Sequence, residues 1–140
     1  MVEFDRLVTE LRRRTAWQKT PEELPITDYH AMIENALRHL LVTTGRAALY
    51  DEAKMSRFIN MPMRYDISLQ IDEEEYLLLS AEIGFFRKVQ TNVNNIFGYS
   101  TDALTITNAD KPYANLSATI SELEQKQRTL YYKMVRFNLL

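Results

Sequence analysis

Two histidines, a run of four acids and a basic stretch beside the single tryptophan are the features of this 140-residue chain whose types could do chemistry. Imidazole is the commonest metal ligand and the usual proton carrier near neutral pH, yet His30 and His39 stand nine positions apart. On one helix, at about 100° per residue, they point in nearly opposite directions and cannot share a metal. His30 and Glu34 fall at i and i+4, which supplies two ligands where a zinc site needs at least three. The run Asp72-Glu73-Glu74-Glu75 offers carboxylates, but consecutive residues fan out around a helix axis. Its pattern instead fits a capping box begun by Asp72, with acids favoured at the positive end of a helix dipole. Three glycines, spread from Gly45 to Gly98, draw no phosphate-cradling loop, and no zinc-protease, nucleophile-elbow or dinucleotide fingerprint is present. The expectation is a protein without catalytic residues, metal or cofactor, and not an enzyme.

The basic stretch is Arg12, Arg13, Arg14 and Lys19 around Trp17. Guanidinium groups hold phosphates and an indole stacks on a base, so single-stranded or duplex DNA is one ligand for it. Cations also suit the carbonyl end of a helix, which makes the triplet a C-terminal cap or a protein contact. Seventeen Lys plus Arg stand against nineteen Asp plus Glu, a net charge of -2, so no general field favours nucleic acid. The second helix, with Arg38 and Arg46 as its cations, is a poor recognition helix. Eight Tyr, six Phe, six Met and one Trp are instead a surplus of the types enriched at protein interfaces. Tyr131, Tyr132, Arg136, Phe137, Leu139 and Leu140 place such residues at the end of the sequence. Together with Arg12, Arg13, Arg14 and Trp17 they form the expected interface set, with the last leucines docking on a neighbouring subunit.

The elements that must position these groups follow from period. Phe4, Leu7, Val8 and Leu11 lie on one face of a helix over residues 3–16, and Tyr29, Met32, Ile33, Ala36, Leu37, Leu40 and Leu41 on one face of a second, from about Thr27 to Gly45. Gly45 is the expected left-handed stop. Thr20-Pro21-Glu22-Glu23 resembles a capped single turn within a connector, and 46–64 fits neither period. Tyr65, Ile67, Leu69 and Ile71 alternate with polar residues, the pattern of a short half-buried strand in need of a partner. From Asp72 to Phe97 a helix of some 26 residues, about 39 Å long, carries apolar seams on two faces, Tyr76-Leu79-Ile83-Phe86-Val93-Phe97 and Leu78-Phe85-Val89-Ile96. It belongs at the centre of the core or partly against another chain. A loop with a small β tip spans 99–110, and Pro112 opens a last helix whose seam Tyr113, Leu116, Ile120, Leu123, Leu130, Met134, Phe137 is heptad-like except at Gln127.

The fold class expected is mainly α: one domain over 1–140, a small helical bundle of two short N-terminal helices and a long antiparallel helical hairpin over 72–137, with short β segments. No internal repeat or low-complexity tract divides it. No cysteine means no disulfide and no thiolate site, which suits a reducing compartment. The acidic start MVEFDRLVTE does not read as a signal peptide, and no apolar run approaches the roughly 20 residues of a membrane span.

Residues 76–137, YLLLSAEIGFFRKVQTNVNNIFGYSTDALTITNADKPYANLSATISELEQKQRTLYYKMVRF, resemble the small helical head-to-tail connector (adaptor) proteins of the neck of tailed bacteriophages and prophages of Gram-positive bacteria. Short N-terminal helices followed by two long helices joined by a projecting loop are the shared plan. The resemblance implies a non-enzymatic virion protein, made in the host cytoplasm and located in the neck. It implies a homo-oligomeric ring of about twelve copies, built by one repeated contact. Its partners would be the portal protein and the next neck or tail protein, with DNA passing through the lumen without sequence-specific binding and no membrane contact. The family has no catalytic signature, and adaptors often carry a longer C-terminal arm than the few residues that follow this last helix. The alternative function is a small helical DNA-binding regulatory protein using the Arg12–Trp17 stretch; a tail-assembly chaperone is a third.

Overall fold

A computed structural model describes residues 2–18, 20, 24–46, 64–65, 69–97 and 116–138, with side chains of the two last helices described to Asn92 and Met134. The protein is mainly helical, a bundle with one apolar core. In chain order, β1 (Val2–Glu3) leads directly into α1 (Phe4–Thr15), followed by α2 (Ile26–Thr43), β2 (Arg64–Tyr65), α3 (Ile71–Phe97) and α4 (Leu116–Asn138). The two strands form a two-residue antiparallel bridge, with Val2 opposite Tyr65 and Glu3 opposite Arg64. The start of the chain thus supplies the partner that a lone extended segment at Tyr65 requires. The expected turn at 21–23, the stretch 47–63, the 99–110 tip and the helix start at Pro112 lie outside the described residues.

Helix α3 is the axis of the bundle, since α1, α2 and α4 each pack on it. Both of its apolar seams are covered by this chain as far as they are described: Tyr76, Leu77, Leu78, Leu79, Ala81, Ile83, Phe85, Phe86 and Val89 are all buried. Of the two placements open to a doubly apolar helix, burial within its own core is the one adopted over residues 76–89, so this stretch leaves no spare seam for a neighbour. From α1 come Leu7, Val8 and Leu11, from α2 Met32, Ile33, Ala36, Leu37, Leu40 and Leu41, and from α4 Leu116, Ile120, Leu123 and Met134. Burying a side chain of this size contributes about 1.5–3 kcal/mol each, offset largely by chain entropy.

Side-chain pairs fix the direction of the long helices. Tyr76 meets Tyr131, Ser80 accepts from Gln127, Arg87 pairs with Glu124 and Gln90 donates to Ser117, so numbers rise along α3 as they fall along α4. Gln127, the polar break in the heptad seam, is thereby satisfied by a hydroxyl on the facing helix rather than buried alone.

Helix α2 ends as its glycine requires. Gly45 has φ 75°, its N–H donates to the Val42 carbonyl at 3.2 Å, and the Arg46 N–H donates to the Leu41 carbonyl at 2.7 Å. These are the two bonds of a Schellman motif, which needs a left-handed residue after the last turn. The start of α3 differs from its sequence expectation. Ile71, placed by alternation on the buried side of a strand, is the first helical residue and is 89% exposed. The capping role falls to Gln70, whose backbone N–H donates to Glu73 Oε1 at 3.1 Å. Asp72 lies inside the first turn instead. The box is shifted by two residues because helical hydrogen bonding reaches back to the Gln70 carbonyl, which accepts from the Glu74 N–H at 2.9 Å.

Candidate functional site

Three consecutive residues on a helix diverge by about 100° each, and the arginine triplet at the end of α1 divides accordingly. Arg12 is exposed and lies 5.6 Å from the centre of the Tyr29 ring, a cation–π distance. Arg13, also exposed, makes a two-point pair with Glu10 on its own helix. Arg14 turns inward to α3: it donates to both oxygens of Glu75 at 2.9 and 2.6 Å, to Glu82 at 3.4 Å and to Glu10 at 3.0 Å. All three stand in the last turn of α1, where the helix dipole favours cations.

The acidic run at the head of α3 is the counterpart of these arginines. Glu73 pairs with Arg46 after α2, Glu74 takes a two-point contact from Arg6 of α1 at 2.6 and 2.8 Å, and Glu75 meets Arg14. These three glutamates fan out to different cations, so they fasten α1 and the end of α2 to the central helix. Hydrogen bonds from Arg13 and Arg14 hold the Glu10 carboxyl down at about 2, and Arg6 lowers that of Glu74. Glu82 moves the other way: its side chain is 11% exposed, and loss of water raises its pKa despite Arg14.

The histidines are apart and differently employed. His39 Nε2 lies 3.0 Å from the Tyr76 hydroxyl, whose own ionisation is pushed up by burial. His30 Nε2 is 3.9 Å from Asp5 of α1. Among the described residues no group of three His, Asp or Glu is placed to hold a metal, and no helix is long and apolar enough to cross a membrane.

Rings near the α1–α2 end form a chain: Trp17 lies 5.3 Å from Phe86, Phe86 stands edge-on to Phe85 at 5.2 Å, and Phe85 stacks on Tyr29 at 6.1 Å. Trp17 is nonetheless 62% exposed, and Tyr132 on α4 is 64% exposed. Tyr131 is half-buried against Tyr76 and Tyr132. The expected set is therefore dispersed into at least two places, with Arg12, Arg13 and Trp17 at the end of α1 and Tyr132 on α4. The side chains of Arg136 and Phe137, and Leu139 and Leu140 altogether, lie outside the described residues.

Three concavities accompany these surfaces, one of them, of about 550 Å³, between α1 and the head of α3 and lined among others by Arg6, Glu10, Arg14 and Ile71. A groove of about 760 Å³ runs between α2 and α4 over α3, lined among others by Asn35, His39, Ser80, Gly84 and Arg128. A smaller cleft of about 370 Å³ lies between α1 and α2, formed by Arg12, Leu24, Pro25, Ile26 and Tyr29. Sequence patterning missed this cleft. Its apolar wall falls in the connector and its cation one helix earlier, but Leu24-Pro25-Ile26 before a helix start was a visible apolar signal. No protein-family model, curated protein or solved structure matches this chain.

Proposed function

We propose that this protein is a non-enzymatic structural component of a tailed-phage virion, an adaptor of the head-to-tail connector that forms a ring below the portal. The observation that carries the assignment is how its surface is spent. Arg6, Arg14 and Arg46 and the acids they meet are used in holding helices together, while Trp17, Tyr132, Ile26 and Ile71 are left in solvent. Large aromatic and aliphatic side chains in solvent, with the Arg12 guanidinium lying over Tyr29 in the cleft that Ile26 lines, are the ingredients of interface hot spots. The resemblance of residues 76–137 to connector proteins supplies the kind of assembly, and the mainly helical bundle agrees with its general plan.

The regulator alternative loses support at the same residues. A phosphate grip by the triplet needs three available cations, and Arg13 and Arg14 are paired with carboxylates. In the connector reading the lumen lacks strong positive charge, because a genome must slide past it.

The test is electron microscopy of the protein mixed with the portal protein from the same phage genome. Rings on the portal are expected, with negligible affinity for duplex DNA at low salt. No association with the portal under any condition, or salt-sensitive micromolar DNA binding, would overturn the assignment.

A further inference from the structure

The most exposed large apolar side chain among the described residues is Ile71, at the first position of α3. Beside it, Asp72 has no ion pair or hydrogen bond among the described residues, although the next three acids each meet an arginine. Elsewhere on the bundle, Arg12 meets no carboxylate among the described residues; its guanidinium lies over Tyr29 at the mouth of the cleft walled by Leu24, Pro25 and Ile26. Ile26 there is 51% exposed.

We infer that these are the two halves of one contact: the Ile71–Asp72 knob of one copy of this chain seats in the Arg12–Tyr29 cleft of the next. The isoleucine covers Leu24, Pro25 and Ile26, and the Asp72 carboxylate lies on the guanidinium that Tyr29 already orients. The match is one of charge and of kind, an acid with no cation among the described residues beside an exposed aliphatic group, against a cation with no carboxylate among them beside an aliphatic wall. The halves sit at different heights. Asp72 neighbours Glu73, which is tied to Arg46 past the end of α2, whereas the cleft opens between the beginning of α2 and the last turn of α1. A knob and a cleft on separate patches, joined head to tail, propagate from copy to copy and close into a ring when the rotation per step allows. The inference rests on the ring assignment above and names the surface that builds it.

The absence of cysteine makes the contact directly testable by cross-linking. Ile26→Cys/Ile71→Cys, oxidised at increasing protein concentration, should give a disulfide ladder of trimers and higher species; a ladder that stops at dimers, or no ladder, overturns the head-to-tail contact. Charge provides the second arm. Arg12→Asp and Asp72→Arg should each weaken self-association by roughly tenfold or more, whereas an equimolar mixture of the two, in which every joint between unlike copies is again of opposite charge, should restore larger assemblies of alternating copies, as should the double variant in one chain. Unchanged assembly of either single variant overturns the contact. Portal rings that persist with both single variants refute this surface while leaving the connector function standing. A ladder from a chain with no affinity for portal supports the surface and removes the connector function.

Discussion

Helices α1 and α4 solve the same problem, how to lie on α3, by different means. Helix α1 has 12 residues and buries three aliphatic side chains, Leu7, Val8 and Leu11, so little apolar area fixes its rotation and register. It is fastened instead by Arg6 on Glu74 and Arg14 on Glu75 and Glu82. Helix α4 has 23 residues and a repeating seam of Leu116, Ile120, Leu123 and Met134. Its cross-helix ion pair among the described residues, Arg87 with Glu124, is largely in solvent. A long seam sets most of its register by shape, with Gln127 on Ser80 and Gln90 on Ser117 adding to it, whereas a short helix depends more on directional contacts. Ion pairs that look alike in a diagram therefore carry different weight.

The strongest way to break both attachments is through the helix they share. Phe86→Ala should cost about 3–5 kcal/mol, because its ring is fully buried and supports Trp17 as well as the core; denaturant unfolding would measure it. The comparison itself is sharpened by two arginine substitutions of the same type. Arg14→Gln should cost about 1–3 kcal/mol, since it strips hydrogen bonds from the partly buried Glu75 and Glu82. Arg87→Gln should cost under about 0.5 kcal/mol, as an exposed pair does. Equal effects in the same unfolding assay would mean that α1 needs no electrostatic fastening.

The smallest effect is in pH dependence, where two acids of the α1 attachment have opposite signs. Glu82 has a raised pKa, so it favours folding fully only below its unfolded value and withdraws stability as pH climbs through the folded value. Glu10, held at about 2, stabilises above its unfolded value near 4.5 and loses that contribution as pH falls toward 2. Melting temperature should therefore rise slightly on mild acidification and drop below about pH 4.5. Glu82→Gln should abolish the rise and leave the drop. A wild-type curve that only falls from neutral pH downward would contradict this.

How much of this was legible in the sequence depends on the range of the forces involved. The faces of α1, α2 and α3 follow from apolar spacing, and Gly45 announces its own cap, because both are settled within a few residues. The start of α3 was misjudged because Tyr65, Ile67, Leu69 and Ile71 also satisfy a period of two, and only helical hydrogen bonding back to Gln70 decides between them. That Arg14 meets Glu75 and Arg6 meets Glu74, 61 and 68 positions away, is set by how helices pack and leaves no local trace. The division of the arginine triplet was in principle available, since its members cannot share a direction on a helix. Taken as one patch, the triplet hides that Arg12 lies over Tyr29 while Arg13 and Arg14 meet carboxylates.

The central place of α3 also orders events during synthesis. Helices α1 and α2 leave the ribosome first, and the helix that covers their apolar faces begins about 30 residues later. Until it emerges, Leu7, Leu11, Leu37 and Leu40, all fully buried in the finished fold, lack the helix that covers them. A slow passage through the codons of 47–70 would lengthen that exposure. Assembly of the domain waits on the middle of its sequence.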